Sequence, residues 1–129
     1  MTLICGRVNF FSGPHLVFKY WLRGKFMRII IVGCGKVGSS IASELNLEGH
    51  EISVVDINHG AVDKLANSLD VLGIEGNGAT YDVLIEAGAE YADLLIAATA
   101  RDEINLYSCL MAKAAGVTHT IARVRNPEY

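Results

Sequence analysis

Three glycines, Gly33, Gly35 and Gly38, spell GxGxxG within "RIIIVGCGKVGSSIASEL" (28–45), directly behind a run of β-favouring residues and ahead of a helical pattern. At a strand-to-helix junction that spacing serves the binding of a phosphate-bearing cofactor. Gly33 permits a tight turn, Gly35 lets the backbone approach a pyrophosphate, and Gly38 lets the helix sit close to the strand. Free N–H groups at the helix start would then face the anion. Asp56 closes the next β-rich run eighteen residues after Gly38, the place from which a carboxylate reaches a ribose 2′-hydroxyl. It would repel a 2′-phosphate, so NAD is expected over NADP. The bland alternatives are a connecting turn that holds nothing and an aspartate that caps the following helix, a task open equally to Asn58.

Other residues fall at the same end of the expected strands. Lys36 either meets phosphates or is solvated in the first helical turn. Cys34 reads as a small residue beside the phosphates, although a helix N-terminus can lower a thiol pKa. In "GNGAT" (76–80) Asn77 could hydrogen-bond an adenine edge or serve only the turn. In "TARDEIN" (99–105) Thr99 and Ala100 would face the cofactor, while Asp102 and Glu103 favour a helix start through the dipole. Arg123 ends an apolar run, where a cation is costly unless an anion meets it. A phosphate and a neighbouring carboxylate are the two candidates.

Reactive groups to use such a cofactor are scarce. No tyrosine has a lysine four residues on, since Tyr81, Tyr91 and Tyr107 are followed at that spacing by Ile85, Leu95 and Met111. His50 and His119 precede strands, His15 lies in the doubtful N-terminal stretch, and His59 reads as a solvated helix-start residue. Neither HExxH, GxSxG nor a P-loop is present. The site is expected to bind rather than to react.

The elements that must position these residues alternate along the chain. Strands are expected at 28–32, 51–56, 70–74, 93–98 and 119–124, with helices near 36–48, 59–68, 80–87 and 102–115. The strands are almost wholly apolar, as strands buried on both faces of a parallel sheet should be. The fold class expected is therefore α/β: a Rossmann-like doubly wound parallel sheet of order 3-2-1-4-5 in three αβα layers.

The 129 residues suffice for one domain with a real core. Three scattered cysteines suggest neither a disulfide framework nor a zinc site, and fit a reducing cytoplasm. The net charge of −3 hides an asymmetry. Residues 1–27 carry four cations and no acid, whereas 28–129 carry seven Lys/Arg against fourteen Asp/Glu. So acidic a body argues against nucleic-acid binding. In residues 1–26 the apolar patches are broken by Arg7, Gly13–Pro14, Lys19 and Arg23 before a membrane span could form. We read 1–26 as an extension of uncertain role ahead of a natural start at Met27, with a membrane-surface segment or an accessory hairpin as alternatives, and 27–129 as the nucleotide-binding domain.

Taken together, "IIIVGCGKVGSSIASEL", "VVDIN", "GNGATYDVLIEAGAEYADLLIAATARDEINL" and "IARVRNPEY" resemble the TrkA-type regulatory domain of potassium transport, also called the KTN or RCK domain. The resemblance implies a cytoplasmic domain, peripheral to the inner face of the membrane, that binds NAD(H), or alternatively ATP/ADP, and gates a membrane potassium pore. It implies phosphates at Gly33, Cys34, Gly35, Lys36 and Val37, ribose at Asp56, and further contacts at Thr99, Ala100 and Arg123. It also implies a membrane K+ transporter or channel subunit as partner, and a homo-oligomer whose dimers build a ring when the protein is full length. Asn77 departs from the Asp or His of many relatives. The chain stops at "NPEY", where relatives continue into a further helix and strand, a crossover helix and a second lobe. The alternative from another class is the cofactor-binding fragment of an NAD-dependent dehydrogenase.

Overall fold

The computed structural model describes residues 25–126 together with two short strands at 2–5 and 9–10. The remaining positions, among them His15 and the end of "NPEY", lie outside the described residues. In chain order the elements are β1 (Thr2–Cys5), β2 (Asn9–Phe10), β3 (Arg28–Val32), α1 (Lys36–Leu47), β4 (Glu51–Asp56), α2 (His59–Ser68), β5 (Leu72–Glu75), α3 (Tyr81–Glu86), a 3-10 turn (Ala89–Tyr91), β6 (Leu94–Ala97), α4 (Asp102–Ala115) and β7 (His119–Val124). One sheet runs in the order β2-β1-β7-β6-β3-β4-β5. Its five strands from β3 onward are all parallel and stand in the expected order 3-2-1-4-5.

Side-chain alternation decides the layers. In β3, Ile29 and Ile31 point to one face and pack with Ala42 and Leu45 of α1 and Val62 and Leu65 of α2. Ile30 and Val32 point to the other, where Leu84 of α3 and Ala112 and Ala115 of α4 cover them. Burying one such isoleucine is worth about 1.5–3 kcal/mol. The central strand is therefore committed to two cores, and its carboxyl end is fixed between four helices.

Two details depart from expectation. The strand expected at 70–74 begins at Leu72, because Asp70 and Val71 form the turn out of α2. Beyond β7 the sheet gains two strands: β1 pairs antiparallel with it from Thr2↔Val124 to Cys5↔Ile121, and β2 pairs with β1. The accessory-hairpin alternative for the N-terminal stretch is thus the arrangement seen at 2–5 and 9–10. Among the described residues no helix is long and apolar enough to cross a membrane.

Candidate functional site

β3, β4 and β6 all end at one cleft of about 480 Å³. Nine of the eleven expected positions line it: Gly33, Gly35, Lys36, Val37, Asp56, Asn77, Thr99, Ala100 and Arg123. The turn is shaped by glycine for two separate reasons. Gly33 has φ +109°, and a Cβ there would meet the Ala98 carbonyl at 2.9 Å. At Gly38 a Cβ would lie 1.7 Å from the Gly33 carbonyl oxygen, so α1 rests directly on the turn. Gly35 differs: nothing lies within 4 Å of an added Cβ, and the space beside it opens into the cleft.

The start of α1 is left uncompensated by the protein. Gly35 supplies no side-chain cap, and the first turn holds no acid. By contrast α2 is capped by Asn58, which accepts from the Ala61 N–H, while α3 and α4 carry acids in their first turns. The first N–H groups of any α-helix lack intrahelical partners, and they carry its positive end. An anion fits there.

Asp56 is partly engaged. Its Oδ2 accepts the Cys34 N–H at 2.7 Å and its Oδ1 accepts the Asn58 N–H at 2.8 Å. It ties the glycine turn to the end of β4, and Asn58 takes the helix-capping role. Each carboxylate oxygen keeps a second lone pair for a ribose hydroxyl. Cys34 points away from the cleft into the core, where burial, and secondarily the Asp56 charge, push its thiol up to about 12. The helix start does not activate it. Cys34 and Gly38 are thus the two expected positions that shape the site without lining it.

Asn77 is exposed, and its Oδ1 accepts the Ala79 N–H at 2.9 Å, leaving the amide N–H₂ and one Oδ1 lone pair to meet a ligand. Of the three cations on the lining, Arg101 pairs with Glu103 at 2.7 Å. Lys36 and Arg123 have no acidic partner among the described residues, and the Arg123 Nε is buried without a hydrogen bond. Among the described residues Asp56 is the one carboxylate on the lining. A cationic cleft on an acidic domain, with an orphaned guanidinium donor, fits a phosphate-bearing molecule. Asp102, whose carboxylate feels the Arg123 charge, forms no ion pair with it among the described residues and accepts the Arg125 and Asn126 N–H groups at 3.0 and 2.7 Å.

Sequence reasoning missed Ile57, Gly78, Arg101 and Ile104, all on the lining. Ile57 is 75% exposed directly after Asp56, an apolar surface facing the ligand side. Gly78 lets the β5–α3 turn lie against Val32, whose Cγ1 would be 2.4 Å from a Cβ. Its signal was the second glycine of "GNG". A larger depression of about 930 Å³ lies at the opposite end of the strands, beside the carboxyl ends of α1 and α3. It is lined by Glu51, Asp70 and Glu86, and its Arg28 is already paired with Glu51 at 2.8 Å. Neither the helix dipoles nor the charges there suit an anion.

Comparison with known proteins agrees with this geometry. The family model of the TrkA-N domain matches residues 29–129. A Trk system potassium uptake protein TrkA homolog of Archaeoglobus fulgidus is 42% identical over 103 residues, which make up 80% of this chain and 23% of that protein. The chain thus spans about a quarter of that relative's length. Among solved structures, the TrkA-N domain of the Escherichia coli inner membrane protein YbaL superposes with a TM-score of 0.64 at 24% identity, covering 72% of this chain and 68% of that one. The Kef C-terminal domain of Shewanella denitrificans, solved in an AMP-bound form, gives 0.59 at 26% identity over 67% of this chain and 52% of that one. With its glycine turn, its Asp56 and all of the parallel sheet but Arg28 inside the matched span, the chain belongs to the TrkA-N domain family.

Proposed function

We propose that this chain is the nucleotide-sensing domain of a potassium transport system. It binds NAD(H), or alternatively ATP/ADP, in the cleft at the ends of β3, β4 and β6. The observation that carries the reading is the cleft itself: an uncapped helix start, Asp56 with free lone pairs, and two cations, Lys36 and Arg123, that form no ion pair among the described residues. Phosphates would lie at Gly33, Gly35, Lys36 and Val37, the adenosine ribose at Asp56, and the base between Ile57 and Asn77. The AMP held by the Kef domain and the potassium-uptake name of the Archaeoglobus relative support the ligand class and the setting.

Among the described residues the cleft lining holds neither histidine nor tyrosine, and we assign it binding rather than catalysis. A ligand can shift an assembly only by its differential affinity for two states, typically about 1–3 kcal/mol per coupled site. On this reading the full-length protein dimerises and builds a ring on the cytoplasmic side of a membrane potassium-transport subunit, and nucleotide identity sets the ring's shape. Calorimetric titration of the chain with NADH, NAD, ATP and ADP tests the first half. Potassium flux through a reconstituted transporter, with the intact regulator and its Asp56→Ala form, tests the second. Flux that ignores the nucleotide, or turnover of a small hydroxy acid by the purified domain, would overturn the reading.

A further inference from the structure

Asn105 lies within the domain, 0% exposed, on the first turns of α4. All of its side-chain hydrogen-bonding capacity is used. Its Oδ1 accepts the Thr99 N–H at 2.8 Å and the Thr99 hydroxyl at 2.7 Å, and its Nδ2 donates to the Thr99 carbonyl at 3.1 Å and the Arg123 carbonyl at 2.8 Å. One side chain thus fixes both a wall of the ligand cleft, Thr99, and the backbone that carries its half-buried cation, Arg123.

Asp102 stands one turn earlier on the same helix. Burial alone would raise its carboxyl, but the N–H groups of Arg125 and Asn126, with the Arg125 and Arg123 charges, hold it below its ordinary range. Its two oxygens clamp the chain as it leaves β7. The Arg125 side chain then turns back and donates to the Ala100 carbonyl, on the cleft rim. The rim at 99–101 and the outgoing chain at 123–126 are therefore laced together three ways, through Asn105, through Asp102 and through Arg125. Within such a part-buried hydrogen-bond network, releasing one member weakens its neighbours.

We propose that Asp102 and Asn105 are positioning residues that join the cleft rim to the outgoing chain, so that an anionic ligand engaged by Arg123 beside Thr99 tightens the hold on residues 125 and 126. This rests on the nucleotide-binding reading above. It goes beyond that reading by naming the residues through which occupancy leaves the domain.

The test is residue-resolved amide exchange of the full 129-residue chain, without ligand and with saturating AMP. Without ligand, Asp102→Asn should speed exchange of the Arg125 and Asn126 amides about tenfold, the worth of one lost charge-assisted hydrogen bond. The Thr99 and Arg101 amides, which Asp102 does not touch, should speed up by about threefold while Val54 in the core stays unchanged. Saturating AMP should slow Arg125 and Asn126 in the wild type and not in Asp102→Asn. Rim amides that ignore the substitution, or a uniform rise across all protected amides, would overturn the proposal, since the latter marks a plain loss of stability. Should Asp102→Asn fail to fold, Arg125→Gln at an exposed position removes the bond to Ala100 and the Arg125 charge beside Asp102 while leaving both backbone N–H bonds to Asp102, and wild-type exchange at the rim would overturn the proposal as well. Calorimetry with AMP, ADP, ATP and NADH separates the two failures. Binding without any change at residues 125 and 126 removes the coupling alone, whereas no binding by any probe removes the proposed function and the coupling with it.

Discussion

Replacing Gly38 and Gly35 one at a time separates packing from binding within a single turn. At Gly38 a methyl carbon would stand 1.7 Å from the Gly33 carbonyl oxygen and 2.7 Å from its carbonyl carbon. Carbon–oxygen contacts lie near 3.3–3.6 Å, so α1 would have to move off β3 by roughly 1.5 Å. Both clashing atoms are backbone, and no change of rotamer relieves them. The movement would also unseat Ala42 and Leu45, both buried against the sheet. Overpacking costs about 1–3 kcal/mol, and the rigid partner places Gly38→Ala at the upper end. For a domain of about 100 residues, that lowers Tm by about 12–20 °C. Gly35 has φ −74° and ψ −163°, a conformation any residue adopts, and an added Cβ meets nothing. The chain-entropy gain of about 0.4–1 kcal/mol from Gly→Ala offsets alanine's poorer performance at an N-cap, so Tm should hold to within about 3 °C. The added methyl instead occupies the approach to the helix-start N–H groups. Losing one charge-assisted hydrogen bond should weaken AMP about thirtyfold. Thermal unfolding by circular dichroism and calorimetric titration read the two effects. A Gly38→Ala chain that melts with the wild type, or a folded Gly35→Ala chain that binds AMP undiminished, would refute the reasoning.

The cleft charges and the core make further claims. NADP should bind at least about tenfold more weakly than NAD, because its 2′-phosphate would meet the Asp56 carboxylate; equal affinities by calorimetry would take Asp56 out of the ribose site. With its thiol pushed up to about 12, Cys34 should resist iodoacetamide at neutral pH in the folded chain and react only after denaturation, as followed by mass spectrometry. Asp102 has a folded pKa below its ordinary 3.8, so its carboxylate adds stability above that value and loses it as pH falls through the depressed one. The difference in urea midpoint between wild type and Asp102→Asn should therefore shrink as pH drops from about 5 to below the folded value, and a constant difference would refute the clamp. A chain starting at Met27 should keep its nucleotide affinity, since the cleft lies at the ends of β3, β4 and β6. With β1 gone from the β7 edge, it should self-associate more than the full chain in sedimentation runs.

The apolar runs at 28–32, 51–56 and 119–124 settle the parallel sheet by themselves, because only strands buried on both faces need so few polar residues. The glycine spacing at 33, 35 and 38 and the acid at Asp56 then mark the end of that sheet where a ligand fits, since backbone clearance and the reach of a carboxylate are local properties that spacing encodes. What spacing cannot encode is which partner a polar group finds across the fold. Asp102 read as a helix-start residue, which it is, but its carboxylate also clamps residues 125 and 126, more than twenty positions away in the chain. Asn105 read as nothing at all, yet it joins Thr99 to Arg123. Cys34 sits in the cofactor motif, but the sheet turns its thiol into the core. The orphaned Arg123 Nε exists because packing buries it away from a hydrogen-bond acceptor. Hydrogen-bond satisfaction and desolvation depend on neighbours brought together by the crossovers of the sheet, so those assignments belong to the tertiary structure alone.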